Sequence, residues 1–172
     1  GQLQRWITGQ FKSENPESPT AFIPEDDEPA LLPVVAKMRD DLLEFDEKPK
    51  PIEIVDENGD LLRSGDNERR FFEAAWMHKH NGVYYFSYST GDTHYICYAT
   101  GKNPHGPFTY KGRILNPVVG WTSHHSVCEI EGKTYLFYHD SSLSKGVTHL
   151  RSVKVAELKY RDDGTIVTLD PY

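Results

Sequence analysis

Residues 69–80, RRFFEAAWMHKH, set a single carboxylate, Glu73, between two phenylalanines and a tryptophan. Acidic side chains are seldom left in apolar company unless they are paired or used. A carboxyl among aromatic rings resists ionisation, so its pKa rises and it keeps its proton near neutrality, as a general acid must. The same residues allow a plainer reading, with Arg69 or Arg70 neutralising the charge or Glu73 exposed on a strand edge. A second stretch, WTSHHSVCEIEG, spans residues 121–132. Neighbouring residues of a strand project to opposite faces, so only one of His124 and His125 faces a given site. That histidine suits a substrate hydrogen bond, a metal ion or simple packing, and no second ligand stands at zinc-like spacing. The third stretch, GVTHLRSVKV, carries Arg151, a charge inside a strand that either reaches outward or lines a polar cavity. Asp92 and Asp140 follow strand-like runs, where they serve as partners for Glu73 or as turn residues.

The elements that position these groups are read from composition and period. The chain has 172 residues, one domain's worth, with 37% hydrophobic and 26% charged side chains. No apolar run reaches the roughly 18 residues that a membrane-spanning helix requires. A net charge of −7 argues against a nucleic-acid partner, because phosphate-backbone binders need a basic face. Cys97 and Cys128 lie in strand-like runs and are expected to be small buried hydrophobes rather than a bridge. No signal peptide is present and the chain opens at Gly1 without an initiator Met, so cytoplasm and secretion both stay open. Ten Tyr, eight Phe and three Trp make 12% of the chain, and most of them follow residue 70. Such rings suit strands, and they also suit sugar sites, where an apolar face meets polar edges.

Residues 9–33 are Pro-rich and acidic and read as a surface insertion. In LLPVVAKMRDDLLEF the spacing of Leu31, Val35, Met38, Leu42 and Phe45 fits a helix, while VVAKM followed by RDDLLEF fits a short strand and a turn. After residue 70, alternation with a period of two dominates, and NG, TGD, NPHGP, EGK and DDG mark turns. The runs repeat: NGVYYFSYS aligns with EGKTYLFYHD, Gly82 over Gly132, and each is followed by a His-led strand and an amphipathic edge piece. VAKMRDDLLEFDEKPKPIEI matches the later half of that unit, which favours strand-plus-turn over helix for residues 34–54. Units of three or four strands recurring every 40–50 residues or so are the signature of propeller blades. Two nearly complete units and the end of another are too few to close a ring. The fold class expected is therefore all-β, an incomplete propeller of about two to three blades.

FFEAAWMHKHNGVYYFSYSTGDTHYICYATG, GPFTYKGRILNPVVGWTSHHSVCEIEGKTYLFYHDSSLS and THLRSVKVAELKYRDDGTI together resemble family 43 of the glycoside hydrolases, in its α-L-arabinofuranosidase and β-xylosidase branch. The resemblance covers residues 1–172 and is strongest after residue 70. It implies a five-bladed propeller and an inverting reaction, in which a general acid and a carboxylate base stand roughly 6.5–9.5 Å apart across the sugar. Glu73 matches the general acid. His124 matches a histidine near the propeller axis, beside calcium or water. Arg151 matches an arginine that reaches the innermost sugar, with Trp76, Trp121 and His125 as further substrate contacts. No cofactor is required, although a structural calcium is allowed. The implied partners are arabinose- or xylose-containing oligosaccharides of plant hemicellulose, with no nucleic acid and no membrane. The family's base and a second, pKa-tuning aspartate lie upstream of anything matching GQLQRW. The chain is therefore expected to be the C-terminal three-fifths of a catalytic domain whose N-terminal part is missing, and inactive alone. The rival expectations are a non-catalytic propeller piece that binds sugar or protein, and one half of a split enzyme.

Overall fold

The computed structural model describes residues 24–121 and 123–172. GQLQRW and most of the expected 9–33 insertion lie outside the described residues. Among those described, all regular structure is extended, as the period-two alternation predicts. Three short pieces come first: β1 (Val34–Val35), β2 (Lys50–Pro51) and β3 (Ile54–Val55). Longer strands follow: β4 (Glu73–His80), β5 (Val83–Ser89), β6 (Ile96–Gly101) and β7 (Phe108–Leu115). The last three are β8 (His125–Ile130), β9 (Lys133–Asp140) and β10 (Ser152–Glu157).

The strand-plus-turn reading of residues 34–54 prevails over the helix. β1 pairs with β2, and Met38 bridges Phe45. Leu42 takes a φ of 59°, which no right-handed helix tolerates, and Leu42, Leu43 and Phe45 are exposed instead of forming a buried stripe.

Two antiparallel meanders carry the rest. A five-stranded sheet runs β3-β7-β6-β5-β4, with β3 parallel to β7 at its edge, and a three-stranded sheet runs β10-β9-β8. The β4–β5 and β8–β9 hairpins are closed by two residues, Asn81-Gly82 and Glu131-Gly132, all four at positive φ. Both central residues of a type I′ turn require positive φ, and its twist matches that of the flanking strands. The aligned glycines of the repeat thus mark the same joint in two sheets. The repeat is incomplete at its far end. GPFTYKGRIL becomes β7, the fourth strand of its meander. Its counterpart LKYRDDGTIVTL instead folds back on itself, with Tyr160 bridging Ile166, and reaches the first sheet through a Leu115–Leu169 bridge.

Burial follows strand parity. On one face of the five-stranded sheet, Tyr85, Ile96 and Tyr98 pack with Ile114, Leu115, Val127, Leu136, Leu158 and Ile166, which glues the two sheets together. On its other face, Phe86, Tyr88, Cys97, Ala99 and Phe108 pack with Ile52, Ile54 and Leu62 from the preceding chain. Cys97 and Cys128 are both free. Cys97 is the expected small buried hydrophobe, whereas Cys128 is exposed because β8 turns it to the outer face of the second sheet.

Candidate active site

Glu73 opens β4 opposite Ser89, the last residue of β5. The next pair in register is Trp76 with Ser87, so three steps along β4 match two along β5, a β-bulge. Ala74 absorbs the extra residue at φ 58°, a left-handed conformation that costs an alanine about 1–2 kcal/mol. The extra residue puts Glu73 on the same face as Ser89, Ser87 and Trp76, the face that looks toward β8. Alternation without the bulge would turn it to the other face, among Phe86 and Tyr88.

The aromatic neighbours do not enclose the carboxyl. Phe71 packs on Phe86 and Tyr88. Phe72 lies over Gly91, where a Cβ would come within 2.9 Å of its ring and where φ is 83°. The Glu73 side chain keeps 36% of its surface in solvent, so the apolar niche read from FFEAAW is only partly formed. The strand directs the two phenylalanines elsewhere. The plainer pairing with arginine is also absent. Arg69 binds Asp66 at 2.6 Å, and Arg70 donates to Asn67 Oδ1 at 2.9 Å.

The second sheet brings the other groups to the same end. His124 immediately precedes β8, and its Nε2 stands 3.6 Å from Glu73 Oε1, just beyond hydrogen-bond distance. His139 lies near the end of β9, its ring 6.1 Å from that of His124 and tilted by 25°. Its Nε2 accepts the His124 backbone N–H at 3.1 Å and faces Arg151 Nη1 at 3.3 Å. Buried Ser123 fixes the same corner, its hydroxyl donating to His139 O at 2.8 Å. Arg151 precedes β10 and donates from Nε to Thr148 O at 3.0 Å; no carboxylate among the described residues pairs with it. Burial first, then the Arg151 and His124 charges, hold the His139 imidazole below its ordinary pKa.

His125 takes the opposite course, as alternation predicts. Its Nε2 lies 2.6 Å from Ser87 Oγ in the seam between the sheets, and its Nδ1 is buried without a partner. Burial pushes its pKa down to about 3, with the nearby His124 and His78 imidazoles adding to the effect. The structure thus does not bring His125 to the Glu73 corner. Trp76 spends its indole N–H on Val127 O at 3.2 Å, tying the sheets together while remaining 38% exposed. Trp121 sits in the β7–β8 loop, edge-on to His94 with 5.0 Å between centroids. That loop is clamped to the end of β9: Ser141 N–H donates to Val119 O at 2.8 Å, and a Cβ on Gly120 would lie 2.8 Å from Ser141 Oγ.

Asp140 is the last residue of β9, paired with Ser152 of β10, rather than a turn residue or a partner of Glu73. It is 2% exposed, and its carboxylate accepts from Ser142, Ser152 and Tyr172. Burial alone would raise its pKa, but the bonds from Tyr172, Ser142 and Ser152 hold it below the ordinary range. Asp92 is exposed in the turn after β5. Calcium takes six to eight oxygen ligands, typically. Beside His124 the described side chains supply one imidazole and the Glu73 carboxylate, and no group of three His, Cys, Asp or Glu gathers among the described residues. This donor set does not make a calcium cage.

Sequence reasoning missed His139, the residue at the centre of the corner. The signal was in the repeat, which aligns His139 with Ser89, the residue facing Glu73.

The sequence profile of glycosyl hydrolases family 43 matches residues 28–166. The chain belongs to that family. It is 56% identical over 170 residues to a xylosidase/arabinosidase of Bacteroides ovatus, covering 99% of this chain and 50% of that protein. It is 55% identical to xylosidase/arabinosidase 43A of Humicola insolens, covering 99% and 53% respectively. Among solved structures it is similar to a β-xylosidase/α-arabinofuranosidase from a compost microbial metagenome, in complex with xylotriose and in calcium-free form. The TM-score is 0.88 at 62% identity, over 100% of this chain and 52% of that one. A Xanthomonas citri family 43 enzyme complexed with xylotriose gives a TM-score of 0.87 at 54% identity, over 90% and 47%. The chain therefore spans about half the length of the relatives it matches. The described residues of this family 43 chain are all-β, and the two relatives named above are xylosidase/arabinosidases.

Proposed function

We propose that residues 1–172 form the proton-donating part of an inverting glycosidase acting on xylosyl or arabinofuranosyl termini of hemicellulose, with Glu73 as general acid. The segment is part of one five-bladed propeller domain, with residues 9–33 a surface insertion. The carboxylate base that activates water stands on polypeptide other than these residues. One observation carries the reading: Glu73, His124 and Arg151, distant in sequence, meet at one end of the two sheets. His124 sits beside the acid and is placed to steady its charge once the proton has left. Arg151, with no carboxylate partner among the described residues, offers its guanidinium to sugar hydroxyls. Trp76 and Trp121, half-buried at the rim, offer ring faces to the sugar. His125 acts behind them by fixing the seam. A calcium ion, if one binds near His124, would be held largely by water.

The test is a chimera that joins the N-terminal half of the Bacteroides ovatus relative to this chain. It should hydrolyse an aryl xyloside or arabinoside, whereas the chain alone should stay at background. In the chimera Glu73→Gln should cost on the order of 10²–10⁴-fold in rate. Hydrolysis by the chain alone at rates typical of intact glycosidases, or an unchanged Glu73→Gln chimera, would overturn the proposal. The half-exposed Glu73 carboxylate favours a second reading, a non-catalytic sugar-binding module. That reading expects Glu73→Gln to leave xylotriose binding intact and the chimera to be inactive from the outset.

A further inference from the structure

We propose that His139 is a positioning residue, whose Nε2 holds the His124 backbone and the Arg151 guanidinium in one fixed relation. The inference rests on the acid assignment of Glu73 for its meaning in catalysis, but its geometry stands apart from it. Both neighbours of Nε2 are obligate donors: a backbone N–H at 3.1 Å and a guanidinium N–H at 3.3 Å. A guanidinium has no acceptor to offer, so Nε2 carries the lone pair and the ring proton resides on Nδ1. The backbone of His139 is itself pinned, its carbonyl receiving the Ser123 hydroxyl at 2.8 Å and its N–H approaching the same oxygen at 3.3 Å. Ser123 adjoins His124, so the imidazole and the main chain of one residue grip both ends of the same dipeptide.

The consequence is a division of labour. A carboxylate in the place of His139 would hold Arg151 as firmly, but it would neutralise the charge that the sugar is to meet. A neutral imidazole orients Arg151 and leaves that charge available. It also sets the path of the chain at His124, and through it the ring standing 3.6 Å from Glu73 Oε1. The acid and the sugar-contacting arginine are thereby tied to one another through a residue that touches neither substrate nor proton.

Nitrogen-15 spectra of the histidine rings in the 172-residue chain test the tautomer directly; Nδ1-protonated, Nε2-unprotonated His139 is the expected state. His139→Leu should shift the His124 amide signal and broaden the Arg151 Nε–H signal. His139→Gln, whose side-chain oxygen can accept, should restore both. In the chimera, His139→Leu should raise KM and lower kcat together, reducing kcat/KM on the order of 10–100-fold, with His139→Gln recovering most of it. A protonated Nε2 in the unsubstituted chain, or unmoved His124 and Arg151 signals in the Leu variant, overturns the proposal whatever Glu73 does. If those signals behave as expected while the Glu73→Gln chimera stays fully active, it is the acid assignment that falls.

Discussion

The two meanders are built from one repeated unit, yet they treat the same positions differently. In the first, Tyr85, Ser87 and Tyr98 share a face and are 2%, 0% and 1% exposed, because the second sheet covers them. The equivalents in the second are Tyr135, Phe137 and, across the register, Val155, which is 57% exposed. Val153 on the same outer face is 78% exposed. The opposite faces do not differ in this way: Phe86 and its counterpart Leu136 are both buried, at 3% and 0%. Residue type therefore reports which face is apolar, while the presence of a neighbouring sheet decides whether that face leaves water.

The comparison is sharpest at Tyr98 and Val155. Tyr98→Ala should cost about 3–5 kcal/mol, since it empties the seam and strips the Ile166 N–H of its acceptor. Val155→Ala should stay within about 0.5 kcal/mol. Urea denaturation of both variants measures the difference, and similar losses would mean that the outer face is covered in solution.

A smaller effect is expected from pH, and it too belongs to the covered face. Burial, with the adjacent His80 imidazole, holds His78 at about 4, below the ordinary 6.5, and His125 is held at about 3. Both folded values lie below the unfolded one. The stability they contribute is complete above pH 6.5 and is lost as the pH falls below it toward those values. Near pH 5 the loss should be about 2 kcal/mol for each group. Thermal melts between pH 5 and 8 should show the decline, and His78→Leu should flatten it even if the variant is less stable throughout. A melting temperature that does not fall below pH 6.5 would place both rings in water.

Much of the fold was legible from single residues. Asn81-Gly82 and Glu131-Gly132 gave both hairpins, and the match of VAKMRDDLLEF to the later half of the repeat removed the helix. Parity separated His124 from His125 correctly. What stayed hidden depends on backbone paths. FFEAAW reads as an apolar cage only if its side chains converge, and Phe71 and Phe72 turn away to Tyr88 and Gly91. His139 looked like an ordinary strand residue because its partners, His124 and Arg151, come from two other segments. DDG marked the turn within residues 158–169, but the repeat, which made this stretch an edge piece like β7, did not show that it folds back and reaches the first sheet.

At the bulge a still smaller effect is expected. Ala74→Val places a β-branched side chain at positive φ and should cost on the order of 1–2 kcal/mol. The same change at Ala75, outside the left-handed position, should cost less. Equal losses would argue against the bulge. No change in stability is needed for the last contrast, which pairs one cysteine from each sheet. Cys97 is fully buried, and burial pushes its thiol up to about 12, whereas Cys128 is exposed on the outer face. A thiol reagent should consume one equivalent rapidly from the native chain and the second only on unfolding. Two fast equivalents would mean that the first sheet opens readily.

The kink at Ala74 acts as an odd–even counter for everything upstream of Trp76. Removing Ala74 outright would shorten the strand by one and leave Glu73 looking the same way, still opposite Ser89. Forcing the original sequence into a regular ladder would slide Glu73 to Thr90 and flip it through the sheet, with every side chain intact and the corner disarmed. A deletion is thus milder here than a straightening, and the orientation of the carboxylate is written in a count of residues rather than in any contact it makes.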